Sequence, residues 1–186
     1  FLIEIHAYKI GDSDPAPMFK IIEQPNDFVK NVRALAEKGE LNDRQKHRLD
    51  FWTKFNDVID ERKKPFNKHK PSTDHWYTVA VGSSKCHISI DLVHKEHKIR
   101  VGLWIDDSKD MFDYFFENKA AIESAFGSDL DWDKLDNKKA SVICTCIPKL
   151  NFHDQSNYPD LMNKTIDLVI ALREAFSPFI NQYSGD

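Results

Sequence analysis

The stretch that decides the fold is HWYTVAVGSSKCHISIDLVHKEHKIRVGLWID, residues 75–106. It contains three runs, 75–82, 85–93 and 98–106, in which β-branched and aromatic residues alternate or cluster as they do in strands. The last two runs are separated only by the polar stretch His94–His97, which is short enough for a hairpin connection. These residues predict three consecutive strands at the centre of a mostly antiparallel sheet.

Helical patterns flank these strands along the chain. Apolar residues recur every three or four positions in three segments, 43–64, 108–126 and 159–180, and the first of these stripes consists of Leu49, Trp52, Phe55 and Ile59. A fourth strand is predicted at ASVICTCI, residues 140–147. The order is therefore α-β-β-β-α-β-α, and we expect an α+β fold with a mostly antiparallel sheet of about four strands and three main helices.

The first part of the chain has a different organisation. Residues 1–10 and 18–23 read as two strands that no nearby helix covers, and GDSDPAP between them stops the first strand. Apolar residues at helical spacing then indicate a connecting helix that Gly39 ends. We expect a remnant of an upstream domain over 1–28, a linker helix over 29–42 and a C-terminal α+β domain over 43–183.

Composition indicates a folded, water-soluble chain. Its 186 residues are 41% hydrophobic with 13 Phe and only 6 Gly, which is enough for one substantial core. No apolar run approaches the roughly 20 residues of a membrane helix, so no membrane partner is expected. Three cysteines at spacings that fit no disulfide framework favour a reducing, cytoplasmic location.

Charge is distributed unevenly along the chain. Residues 44–70 contain nine Lys or Arg against four Asp or Glu, whereas residues 106–136 contain ten Asp or Glu against three Lys. The first segment should attract anions and the second should repel them. Two solvated faces that balance one another would be an equally simple interpretation.

The end of the basic segment is the best candidate for a functional surface. Positive side chains cluster at a helix end and in the loop after it, and aromatic residues follow closely, as in nucleic-acid sites where phosphates meet cations and bases stack on rings. The alternative is that basic residues simply complement the dipole of the helix C-terminus. The predicted nucleic-acid-binding residues are Arg62, Lys63, Lys64, Lys68, Lys70 and Trp76.

A longer set of spaced residues resembles a known family. The stretch KAAIESAFGSDLDWDKLDNKKAS, residues 119–141, together with HWYTVAVGSS and IRVGLWI, resembles the domain of unknown function 4268 family from about Arg44 to Ile180. The residues that carry the resemblance are Ile122, Glu123, Gly127, Leu130, Trp132, Leu135, Lys139, Ala140 and Ser141.

The resemblance also implies a context. Members of this family often carry an upstream domain similar to PD-(D/E)XK nucleases, so we expect this chain to be the C-terminal part of such a protein, with a role in bacterial-type defence. Where relatives tend to have Gly-Arg-Ser-Gly, this chain has Gly82-Ser83-Ser84-Lys85, and Lys85 replaces the arginine only partly because it is a point charge. Lys85 therefore joins the predicted nucleic-acid-binding residues.

A nuclease site within this chain would need paired carboxylates and a lysine. Asp91 could pair with Glu96-His97-Lys98 or with Asp107-Ser108-Lys109 to hold Mg²⁺, but Asp91 and Glu96 are better interpreted as solvent-side strand residues. His94 with His97, and Cys144 with Cys146, lack the further ligands of a closed metal site. We therefore predict no catalytic residue, no metal ligand and no cofactor in this chain. If the parent protein uses Mg²⁺, we expect the upstream domain to bind it.

These observations favour a non-catalytic nucleic-acid-binding or recognition module of a restriction-nuclease-like protein, with DNA the favoured ligand. Two other hypotheses stay open. The acidic, Phe-rich segment 106–136 could dock a protein partner or a second copy of the chain. The domain could also be a divergent Mg²⁺-dependent nuclease.

Overall fold

The computed structural model describes residues 2–8, 16–23, 34, 37–39 and 41–183, and the chain divides into two compact units, Phe1–Asp43 and Arg44–Asp186. In the first unit, β1 (Leu2–Tyr8) and β2 (Ala16–Glu23) form an antiparallel hairpin, which confirms the two predicted strands. The predicted linker helix over 29–42 lies largely outside the described residues, although Ala34 and Glu37 are helical.

From Asp43 onward the chain is an α+β domain, as predicted. Its elements in chain order are α1 (Asp43–Glu61), β3 (Trp76–Ala80), β4 (Cys86–Val93), β5 (Lys98–Ile105), α2 (Lys109–Glu117), α3 (Lys119–Phe126), β6 (Asp131–Asp133), β7 (Ser141–Pro148) and α4 (Tyr158–Gln182). Within the described residues, no helix is both long and apolar enough to cross a membrane.

The five strands form one antiparallel sheet in the order β3-β4-β5-β7-β6. The predicted β4–β5 hairpin is present, and its connection is a single 3-10 turn, His94–Glu96, followed by His97 in the left-handed region. β5 lies at the centre, paired along its full length with β4 on one side and β7 on the other. The edges of the sheet are therefore β3 and the short strand β6.

The core lies between one face of the sheet and the helices. Buried residues at alternate positions of β4 and β5 face the same side, because side chains in a strand alternate between faces. Trp52 and Phe55 of α1 contact the ring of Tyr77 in β3, and Phe176 of α4 packs at 5.3 Å from Phe115 of α2. The predicted stripe of α1 is confirmed, and its members Leu49, Trp52, Phe55 and Ile59 are all buried.

Two features of residues 108–133 differ from the sequence expectation. The helix predicted over 108–126 is divided into α2 and α3 at Asn118, whose side-chain amide donates to the Tyr114 carbonyl at 2.8 Å. The strand β6 was not expected, since it has only three residues and two of them are exposed aspartates. Its position is fixed by contacts with residues outside the strand rather than by its own pattern.

Glu123 is the first of these contacts. Its Oε1 accepts hydrogen bonds from the backbone N–H of Leu130 and from the indole N–H of Trp132, both at 2.9 Å. Burial by itself would raise the pKa of Glu123, but these two bonds and Lys119 outweigh it and hold the pKa below its usual range. Glu123 therefore binds α3 to the start of β6 as a carboxylate.

Lys109 is the second contact, at the start of α2. Its Nζ donates to the carbonyls of Lys134, Leu135 (3.2 Å) and Ala140 (2.7 Å), and lies 3.1 Å from the hydroxyl oxygen of Ser141. This one ammonium group satisfies carbonyls at both ends of the loop between β6 and β7. Three residues that carry the family resemblance, Leu135, Ala140 and Ser141, therefore meet at Lys109, in an arrangement that we call the Lys109 clamp.

Replacing Lys109 by Met should lower the free energy of unfolding by about 2 kcal/mol, because partly buried carbonyls lose their donor while the length of the side chain is kept. Urea unfolding followed by tryptophan fluorescence measures this change. Lys139→Met is the matched control, since Lys139 is exposed and its ion pair is with Asp107, which is also exposed, at 3.0 Å. An equal loss of unfolding free energy in the two variants would contradict the structural role of the Lys109 clamp.

Candidate nucleic-acid interface

The basic loop, residues 62–70, begins where α1 ends. Lys63 and Lys64 both adopt left-handed backbone conformations, with φ of 60° and 55°. The Lys64 N–H donates to the Ile59 carbonyl at 2.9 Å and the Lys63 N–H donates to the Asp60 carbonyl at 3.0 Å. The loop backbone thus satisfies the last carbonyls of the helix, and the side chains of both lysines are exposed.

A buried tyrosine fixes the basic loop to the edge strand β3. The hydroxyl of Tyr77 accepts from the His69 N–H at 2.8 Å and donates to Asn56 Oδ1 at 3.1 Å, while Asn56 Nδ2 donates to the His69 carbonyl at 2.8 Å. Burial raises the pKa of Tyr77, so this hydroxyl remains a neutral donor. Arg173 of α4 adds a hydrogen bond to the Pro65 carbonyl at 3.1 Å. These hydrogen bonds therefore fix the first half of the loop at Pro65 and the second half at His69.

Two carboxylates neutralise part of the charge of the basic loop. Arg62 pairs with Asp167 of α4 at 2.7 Å, and Asp60 lies between Lys68 and Lys64, with the Lys64 distance 3.6 Å. The hydrogen bond from Lys68 holds the pKa of Asp60 below its usual value. Lys63 and Lys70 have no acidic partner within ion-pair distance among the described residues. The loop therefore remains positive.

Trp76 lies on the same edge strand. Its side chain is 46% exposed, whereas that of Tyr77 is 5% exposed, because neighbouring residues of a strand point to opposite faces of the sheet. The His75 carbonyl accepts from the Leu92 N–H at 2.8 Å and so fixes the chain just before Trp76. The cationic loop and the exposed indole thus border one strand.

Lys85 is separate from this group. The β3–β4 register places Trp76 opposite Asp91 but Ala80 opposite His87, so Lys85, which precedes β4, lies at the other end of the strand pair. Four residues of strand correspond to about 13 Å. The Lys85 Nζ lies 5.6 Å from the centre of the Tyr183 ring. The structure therefore does not bring Lys85 to the basic loop.

Neither candidate carboxylate set has the geometry of a nuclease site. The expectation that Asp91 faces solvent was wrong: it is 8% exposed, its Oδ2 accepts two bonds from Arg100 at 3.2 Å, and its Oδ1 accepts from Ser89. Arg100 reaches Asp91 because the β4–β5 register pairs the two residues. Lys109 is committed to the clamp, and Glu96 is exposed and pairs with Lys98 at 2.6 Å.

The cysteines and histidines give no metal site in the described part of the chain, where no group of three or more His, Cys, Asp or Glu is arranged to hold a metal ion. Cys86 and Cys144 are buried free thiols, and burial raises the pKa of Cys144 to about 11. Both thiols therefore pack as small apolar groups.

Sequence reasoning missed a histidine cluster, which we define as His47, His94, His97 and His153. These residues come from α1, from the β4–β5 turn and from the loop after β7. His47 and His94 stack on the buried ring of Phe152, His153 contacts His47, and His97 lies near His94. Only the His94–His97 pair was visible as a local signal. The other two members are more than 40 residues away on either side, so no spacing rule could have joined them.

Comparison with known proteins gives a family but no function. No curated protein matches the chain, and no solved structure does. The model of one family, described as a domain of unknown function (DUF4268), matches residues 47–180, which begin within α1 and end near the end of α4. This range covers most of the second unit and all five strands of its sheet. The chain therefore belongs to the DUF4268 family, the domain of unknown function that its spaced residues resemble.

Proposed function

We propose that this domain is a non-catalytic nucleic-acid-binding or recognition module, and that it serves a protein whose upstream domain is restriction-nuclease-like. The observation that carries the proposal is the attachment of the basic loop by Tyr77 and Asn56 to β3, the strand that also carries the exposed Trp76. Any Mg²⁺-dependent cleavage is assigned to the upstream domain. DNA is the favoured ligand because the proposed parent protein is of a restriction type.

The physical basis is the combination of a fixed cationic loop with an aromatic platform. Lysines that neutralise phosphates release condensed counterions, which favours binding at low salt. An exposed indole can stack on a base without regard to sequence, which adds roughly 1–3 kcal/mol per base. Because the loop is already held by hydrogen bonds, little ordering is required when a strand binds.

Fluorescence anisotropy with labelled single- and double-stranded DNA and RNA tests the proposal. If about three phosphates are contacted, affinity for duplex DNA should fall about 40-fold between about 50 and about 200 mM salt. Stronger binding to single strands than to duplexes would indicate that Trp76 stacks on bases. An absence of binding at the lower salt concentration would contradict the proposed function.

Partner docking is a second candidate, and one observation favours it. Phe116 of α2 is 51% exposed and lies in the acidic segment 106–136, with its ring 5.7 Å from that of Trp132. The Lys119 Nζ lies 5.9 Å from the centre of this ring. An exposed aromatic residue within a segment of net negative charge suits a basic protein surface. Light scattering that finds a discrete dimer, lost in Phe116→Ser, together with no nucleic-acid binding, would favour this candidate.

A further inference from the structure

The histidine cluster is a line of rings at the N-terminal end of α1. The ring of Phe152 lies between His47, at 5.5 Å, and His94, at 5.2 Å, and both are stacked on it. His153 meets His47 edge-on at 5.2 Å, and His97 lies 6.0 Å from His94. Four imidazoles therefore occupy one small region, although they come from three separate segments.

The charges that act on His94 are all positive or can become so. Burial is the main cause that lowers the pKa of His94, and Arg44, His97, His153 and His47 lower it further. The Nδ1 atom of His94 is buried and has no hydrogen-bond partner. Protonation of several rings would place cations close together, and an anion would relieve that repulsion.

The carboxylates of the surrounding elements have other partners. Glu96 of the turn pairs with Lys98 at 2.6 Å, Asp154 accepts from the Ser156 N–H at 3.0 Å, and Asp50 of α1 pairs with Lys54 at 2.7 Å. The remaining charged residues of the first turns of α1, the β4–β5 turn and the loop after β7 are Asp43, Arg44, Lys46, Arg48, Lys95 and Lys149. Positive side chains therefore outnumber negative ones around the histidine cluster.

We propose that the histidine cluster, when protonated, binds a phosphate-class anion together with Arg44. A protonated imidazole donates from both nitrogens, and phosphate offers several acceptor oxygens, so one anion can accept from His47, from His153, whose ring meets it edge-on, and from Arg44, one turn earlier in α1. His97 has one ring nitrogen 3.3 Å from the Leu150 carbonyl oxygen. The site differs from the basic loop, because the 19 residues of α1 separate the two ends of the helix by about 28 Å. The proposal does not rest on the proposed function.

Histidine-selective NMR with inorganic phosphate tests the site, with chloride at equal ionic strength as the reference. The titration of His94 should move to higher pH in phosphate than in chloride, because a bound anion favours the charged form of the ring. Arg44→Gln and His153→Asn, both exposed positions, should each weaken binding severalfold without unfolding the chain. His75→Asn, an exposed histidine outside the cluster, should change nothing.

Two results would contradict the proposed phosphate site. One is a His94 titration that is the same in phosphate and chloride. The other is an equal response of His75 and the cluster, which would indicate an adventitious ion only.

Competition with an oligonucleotide identifies the source of the phosphate. If the oligonucleotide displaces inorganic phosphate, the natural ligand is a phosphodiester. If it does not, the natural ligand is a free phosphate or a nucleotide. Lys63→Glu with Lys64→Glu should leave the phosphate response intact, which separates this test from that of the basic loop.

Discussion

Changing Lys63 and Lys64 together to glutamate should weaken nucleic-acid binding about thirtyfold at about 50 mM salt. Each lysine next to a phosphate in water contributes roughly 1 kcal/mol, reversal of the charge adds a repulsion of similar size, and salt reduces both terms. The two side chains are exposed, and the contacts that hold the loop come from Tyr77, Asn56 and Arg173. The fold should therefore persist, which circular dichroism can verify.

The matched control is Lys138→Glu with Lys139→Glu. It is another adjacent pair of exposed lysines, it changes the net charge by the same amount, and it lies in the loop before β7. Affinity in the control should stay within about threefold of that of the native chain, because only long-range repulsion changes. Equal losses in both double variants would mean that net charge, rather than the basic loop, determines binding.

Changing Gly102 to alanine should lower the free energy of unfolding by about 3 kcal/mol. A Cβ at this position would lie 2.4 Å from the Cβ of Cys144 and 2.6 Å from the carbonyl oxygen of Ile143, in the centre of the sheet between β5 and β7. Backbone cannot move aside as a flexible side chain can, so the paired strands must separate or twist. Urea unfolding measures the loss.

Ala80→Val is the control for added volume, since Ala80 is an exposed residue of the edge strand β3. It should change stability by less than about 0.5 kcal/mol. Adding Cys144→Gly to Gly102→Ala should recover only part of the loss, because the Ile143 carbonyl remains in the way. Native stability of Gly102→Ala would contradict the close approach of β5 and β7.

Most of the fold could be predicted because its signals are local. The stripe of α1 and the alternation in β3 and β5 repeat within single elements, and burial follows those periods except at Gly102, whereas in β4 Ser89 and Asp91 on the other face are buried as well. Strand β6 could not be predicted from Asp-Trp-Asp, since Glu123 and Lys109 hold it and its loop from other elements. Likewise, the ion pair between Asp91 and Arg100 depends on pairing across the hairpin.

In the candidate interface, too, local features could be predicted from the sequence and long-range contacts could not. The basic loop is contiguous in sequence, so its residues could be named without a structure. The pairing of Arg62 with Asp167 joins residues that are far apart in the chain and lowers the charge that sequence counting assigned to the loop. The histidine cluster depends entirely on such long-range contacts, which is why only its His94–His97 pair was visible beforehand.

The most direct test of the central claim compares how salt affects DNA binding by the native chain and by the Lys63→Glu, Lys64→Glu variant. The slope of log affinity against log salt concentration should be shallower in the variant by about two, because each phosphate-contacting lysine contributes about one. Identical slopes for the two chains would show that the basic loop does not contact phosphates, and would contradict the account.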